Sequence, residues 1–143
     1  MFLNDRLMKS NHILEKALDV ESLRRKVISN NISNVDVPHF KRSEVNFESE
    51  LKRAINQNDY SKKNQYPGLL SDRRHIPFSE MRDVTKVGPR VNLDYSTSFR
   101  NDGNNVDIEK EMVSAAKNTM KFNALVANLN HNYKMLKISM RGA

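Results

Sequence analysis

The chain contains no cysteine and no tryptophan. Without a thiol there is no disulfide framework, no thiolate zinc site and no cysteine nucleophile. Only four glycines and four prolines occur. G-x-S-x-G, the P-loop and G-x-G-x-x-G are all missing, so little material exists for a phosphate cradle. No stretch approaches the roughly 20 apolar residues of a membrane-spanning helix, and no transmembrane segment is expected. Residues 1–10 (MFLNDRLMKS) have polar residues throughout and lack the apolar core of about 7–15 residues found in a cleavable signal. Secretion with cleavage is therefore not expected. His12, His39, His75 and His131 fall in different segments, and none has a second His at helical spacing. Ordinary surface or packing roles are expected for them. No catalytic residue, metal site or cofactor is anticipated, because nothing in the pattern offers a rigid pocket to hold one. Enzyme is not the expected class.

What is present is polar and basic. The 143 residues are 38% hydrophobic, with a mean hydropathy of −0.71 and 24 Lys and Arg against 17 Asp and Glu. That length suits one domain or one extended unit, with a core that is thin or completed by partners. The net charge of +7 permits an acidic partner without demanding one. Arg24-Arg25-Lys26, Lys41-Arg42, Lys62-Lys63 and Arg73-Arg74 are scattered, without a recognition helix or interleaved aromatics. No nucleic acid and no small-molecule substrate is expected.

Three parts follow from composition: residues 1–42, 43–104 and 105–143. From about residue 2 to 34 there is no Pro or Gly, and apolar residues recur at helical spacing. Leu3, Leu7, Leu14 and Leu18 form one stripe, with Ile13, Ala17, Val20 and Val27 beside it. Pro38 disfavours helical geometry at Val37, so this helix is predicted to stop before it. The last part is clearer. Ile108, Met112, Ala115, Thr119, Phe122, Val126, Leu129, Tyr133, Leu136 and Met140 alternate spacings of four and three without a slip, and all but Thr119 are apolar or aromatic. A heptad sustained this long marks a helix packed along its length against another. Asp107 is the predicted N-cap, Glu109 and Glu111 suit the first turn, and Gly142 offers a stop.

The middle is polar and irregular. A short helix is predicted near residues 44–56 and a solvated loop or disordered insert over 56–65; Pro67, Pro77 and Pro89 then divide the chain, leaving room only for short strands such as 90–93. The fold class is mainly α: long terminal helices pairing as a coiled coil, with a small irregular middle segment that has room for short strands. Each helix needs the apolar face of the other, or of neighbouring copies, which points to an assembly protein. Residues 102–107 briefly look like a calcium loop, but its fifth and twelfth positions are Val106 and Val113, so a helix-initiating turn is the better reading. Eighteen Asn are unusual. Those within helical pattern, such as Asn30, Asn31, Asn118, Asn123, Asn128, Asn130 and Asn132, have amides able to bridge helices and fix register; codon bias explains scattered ones equally well.

Ser29-Asn30-Asn31-Ile32-Ser33-Asn34-Val35-Asp36-Val37-Pro38-His39-Phe40-Lys41 resembles the N-terminal signature of flagellar rod, hook and related axial proteins, approximately A-N-N-[IL]-A-N-x-x-T-P-G-Y-[KR]. Asn30, Asn31, Ile32, Asn34, Pro38 and Lys41 match, and Phe40 replaces Tyr. The departures are Val37 for Thr and His39 for Gly. Asp102-Gly103-Asn104-Asn105-Val106-Asp107-Ile108-Glu109 resembles the D-G-N-x-V-D-[LI]-E entry to the C-terminal helix of proximal rod proteins. Asp72-Arg73-Arg74-His75-Ile76 matches loosely. The resemblance implies a structural subunit of the proximal rod, polymerising with other rod proteins into a shaft that transmits torque and encloses the export channel. It implies as partners the other rod subunits, the rod–ring junction protein, the basal-body ring and the type III export gate. It also implies a periplasmic location reached by uncleaved type III export. The expected seam comprises Leu3, Leu7, Leu14, Leu18, Ile108, Met112, Ala115, Phe122, Val126, Leu129, Tyr133, Leu136 and Met140. A helical adaptor or chaperone-like module, and a basic nucleic-acid-binding protein, stand as alternatives.

Overall fold

The computed structural model describes residues 2–63, 72, 74, 83–96 and 100–141, with backbone alone for 2–6, 58–63 and 141. Their order is helix α1 (Phe2–Ser33), strand β1 (Ser43–Asn46), helix α2 (Glu48–Lys63), a 3-10 turn (Val84–Lys86), strand β2 (Arg90–Leu93) and helix α3 (Ile108–Arg141). The chain divides into two compact units, one of Met1–Val45 with Pro89–Ala143 and one of Asn46–Gly88.

In the first unit α1 and α3 run antiparallel. Asn11 meets Asn132, Glu21 meets Asn118, and Asn31 meets Glu111, so α3 descends as α1 rises. The starts and stops follow local chemistry. Asp107 caps α3, its Oδ1 accepting from the amides of Glu109 at 3.1 Å and Lys110 at 3.3 Å. Those donors, the Lys110 amide first, hold the Asp107 carboxyl below the usual carboxylate range. α1 ends at Ser33, and residues 34–39, Pro38 among them, turn and free the chain to run back as β1. β1 and β2 pair as a two-stranded antiparallel sheet, and the Asp94 amide donates to the Arg42 carbonyl at 2.8 Å beside it.

The interior of this unit is unusually polar. Val20, Ile28 and Val106 are buried, but so are Asn11, Glu21, Asn31, Asn104, Asn105, Glu111 and Asn118. The inward side of α3 comprises Glu111, Ala115, Asn118, Phe122, Leu125, Leu129, Asn132 and Leu136, all buried or half-buried. This row shares Ala115, Phe122, Leu129 and Leu136 with the stripe read from hydropathy. Its alternate layers differ, because Glu111, Asn118 and Asn132 occupy inward places that an apolar pattern passes over. Each is held by a partner on α1, which makes the buried position tolerable.

In the second unit, α2 begins with Glu48 and Glu50 in its first turn, suiting the helix dipole. It continues through residues read as loop from sequence. No Pro or Gly interrupts that stretch, so its polarity marks a solvated helix rather than a break. Residues 44–46, read as the start of a helix, belong to β1 instead. The Asp83 side chain caps the 3-10 turn by accepting from the Thr85 amide at 2.9 Å. The loose match at residues 72–76 and the Pro67 and Pro77 positions lie largely outside the described residues, as does Gly142.

Candidate assembly site

The two sequence motifs, some 60 to 70 residues apart, lock together at one end of the helix pair. Asn104, fully buried, donates from Nδ2 toward the carbonyls of Asn34, Val35 and Val37 at 3.1, 2.9 and 2.9 Å. Its Oδ1 accepts from the Val106 amide at 2.8 Å. One side chain therefore gathers the turn after α1 and the segment entering α3. Around it, the His39 amide donates to the Asp102 carbonyl at 3.0 Å and Lys41 Nζ to the Gly103 carbonyl at 2.7 Å. Arg100 donates to the Val35 carbonyl at 3.1 Å and pairs with Asp36 and Asp102, each at 3.3 Å.

A second knot lies one turn inward. Glu111 is fully buried and accepts from Asn31 Nδ2 at 3.1 Å and from Arg42 Nε at 2.5 Å. Asn31 also exchanges two bonds with Ser43: its amide donates to the Ser43 carbonyl at 2.9 Å, and its Oδ1 accepts the Ser43 amide at 3.0 Å. Arg42 pairs with Glu44 as well. Burial works against the Arg42 charge, but its bonds to Glu111 and Glu44 outweigh that and raise its pKa. Asn105 completes the knot, accepting the Arg42 amide at 2.7 Å and donating to the Asp94 carbonyl at 2.7 Å. Bonds from Ser96, the hydroxyl first, hold the exposed Asp94 carboxyl low.

His39 has φ of 60°, the left-handed region that glycine enters without penalty. The position read as a departure from the signature thus keeps the backbone geometry of the residue it replaces. Gly103, at φ 78°, faces it: a Cβ there would lie 2.9 Å from His39 Nδ1. Asn34 bridges back to Asn30 through 2.5 and 2.7 Å bonds. Pro38 is exposed, Phe40, Lys41 and Ile32 are half-buried, and Asp107 caps α3 as expected.

The remaining seam residues divide by exposure. Leu14, Leu18, Ala115, Phe122, Val126, Leu129 and Leu136 are half-buried. Leu7, Ile108, Met112, Tyr133 and Met140 stand exposed in the single chain, from 37% at Leu7 to 80% at Met140. The side chain of Leu3 is outside the described residues. Between the helices the bonds are sparse but definite. Asn118 donates to the Glu21 carbonyl at 2.9 Å and carboxylate at 2.5 Å, and Asn132 donates to Asn11 at 2.9 Å. Arg25 sits 5.1 Å from the Phe122 ring centroid. The Tyr133 hydroxyl donates to Glu15 at 3.0 Å, and that bond raises its pKa. Sequence reasoning passed over Glu21 and the partnership of Arg42 with Glu111. The available signal was an acid in a heptad layer with a base in the opposite motif. Among the described residues no group of acidic or histidine side chains is placed to hold a metal, and no helix is long and apolar enough to cross a membrane.

The helix pair is thus clamped at one end through the two motifs that resemble those of flagellar axial proteins. The chain is similar along most of its length to proteins named flagellar basal body rod protein FlgB. The relative from Borrelia hermsii is 40% identical over 129 residues, covering 90% of this chain and 93% of the relative. That of Borreliella burgdorferi is 37% identical over 124 residues, covering 87% and 90%. That of Bacillus subtilis is 33% identical over 129 residues, covering 90% and 91%. No protein-family profile matches. The chain belongs to the family of the flagellar basal body rod protein FlgB.

Proposed function

We propose that the chain polymerises with other rod subunits into the proximal rod, forming part of the shaft that transmits torque and encloses the export channel. The observation that carries this reading is the contrast within one helix pair: its motif end is tied by buried polar bonds, while its flanks expose large apolar side chains. Heterologous contacts that do not close generate a helical tube. Burying Met112, Tyr133 and Met140 against neighbours would couple ordering of the helix ends to assembly. In this reading residues 1–42 and 105–143 supply the axial helices and 43–104 the small middle segment. The rod–ring junction protein, the ring and the export gate are the further partners, met in the periplasm after uncleaved type III export.

Quantitative mass spectrometry on purified basal bodies tests this. Recovery at a fixed, low stoichiometry with an intact N-terminus supports rod membership and uncleaved export together. Absence from basal bodies that hold the rest of the rod rejects the reading. A discrete small soluble complex would favour the adaptor alternative instead.

A further inference from the structure

The side of α3 turned away from α1 carries a second apolar stripe. Val113, Met120, Met135 and Ile138 are each more than half exposed, with Ala116, Ala124 and Ala127 between them. A helix with apolar residues on opposite faces needs cover on both. The stripe is also one-signed. From residue 112 to 141 α3 has no acid, while Lys117, Lys121, Lys134 and Lys137 are exposed along it. Two such faces laid directly together would repel.

A complementary surface lies on the same molecule. Between α1 and α3 runs a shallow, mainly apolar groove of about 260 Å³, floored by Ile28 and Ile32 and flanked by Ser29, Ser33, Ala115 and Thr119, with Arg25 and Asn118 completing its lining. Four of its eight lining residues are small, which leaves a hole able to take a knob. Along α1 the same flank carries an exposed acid, Glu15, two heptads before Ser29. On the α3 stripe, Lys134 lies the same two heptads beyond Met120. Both separations are 14 residues, roughly 21 Å of helix. Because α1 and α3 are antiparallel, an incoming α3 parallel to the resident one meets both features in register.

We infer that the outer stripe of α3 in one copy docks into the α1–α3 groove of a second copy, with Met120 entering the groove and Lys134 reaching Glu15. The contact joins different surfaces on the two copies, so each copy keeps one stripe or one groove unfilled and the series stays open. This deepens the rod reading and rests on it.

The absence of native cysteine makes the test clean. Cells assembling flagella carry the full chain with Ser33→Cys and Met120→Cys together, or each alone, and are treated with an oxidant. The double variant is expected to give disulfide-linked trimers and larger species containing only this chain, and neither single variant is expected to give more than monomer. A reciprocal charge exchange adds a second measurement. Glu15→Lys or Lys134→Glu alone should lower recovery in basal bodies several-fold, with both together restoring it, and circular dichroism melts of the purified variants report the fold separately. Double-cysteine chain that enters basal bodies yet stays monomeric, or stops at dimer, overturns the docking inference while the rod reading stands. Wild-type chain missing from basal bodies overturns the rod reading itself.

Discussion

The two ends of the helix pair differ sharply. At the motif end, Asn31, Asn104 and Glu111 are 1% exposed or less, and each makes several bonds across the chain. At the other end, Leu7 is 37% and Met140 80% exposed, and the helices are tied there by Asn11 with Asn132 and Glu15 with Tyr133. Buried polar bonds add little net stability each but are costly to leave unmade. The motif end is therefore specified from within the chain. The opposite end gains little from its own partner and is left for a neighbour to complete. Substitutions at equivalent depth should thus have unequal effects.

The largest is expected at Glu111. Glu111→Ala removes the buried carboxylate that Arg42 and Asn31 share, and breaking a buried pair costs about 3 kcal/mol where one partner keeps some access to water. Chemical denaturation of the purified chain measures it, and an unchanged midpoint would remove the claim that this knot dominates. Next comes Gly103→Ala, which forces a Cβ into a left-handed residue and against His39 Nδ1. A loss of about 2 kcal/mol is expected, partly recovered by adding His39→Gly, and strict additivity of the two would show that they do not touch. Asn132→Ala, at the far end, should cost about 1 kcal/mol or less. A loss as large as that of Glu111→Ala would erase the asymmetry.

Acid sharpens the comparison further. The Asp107 carboxyl is lowered by its bonds to the first turn of α3. A depressed carboxylate contributes fully above its unfolded value and loses that contribution as pH falls through the folded one. Between about pH 4 and 2, wild type should therefore lose helicity more steeply than Asp107→Asn, by circular dichroism. The smallest effect is His39→Gly alone, where relief of a left-handed His outweighs added chain entropy by about 0.5 kcal/mol, read as a slight rise in melting temperature.

Much of this architecture was legible in the sequence, for identifiable reasons. α3 announces itself by its heptad and Asp107, and the end of α1 by Pro38, because caps and breakers act over a few residues. β2 showed as a short strand directly after Pro89. The inward register of α3 did not show, since Glu111, Asn118 and Asn132 are inward only by virtue of Arg42, Glu21 and Asn11, residues distant in the chain. The same holds for the motif junction. Both motifs were visible, but bonds from Asn104 to Asn34, Val35 and Val37 leave no periodic trace. α2 was misjudged in length because solvated helix and solvated loop share a composition.

The grip of Asn104 falls on carbonyl oxygens, and so does that of Lys41 on Gly103. A grip on main-chain atoms is indifferent to which side chains the gripped segment carries. Val35 and Val37 are consequently open to exchange provided the turn keeps its shape, whereas Asp36 also offers its carboxylate to Arg100.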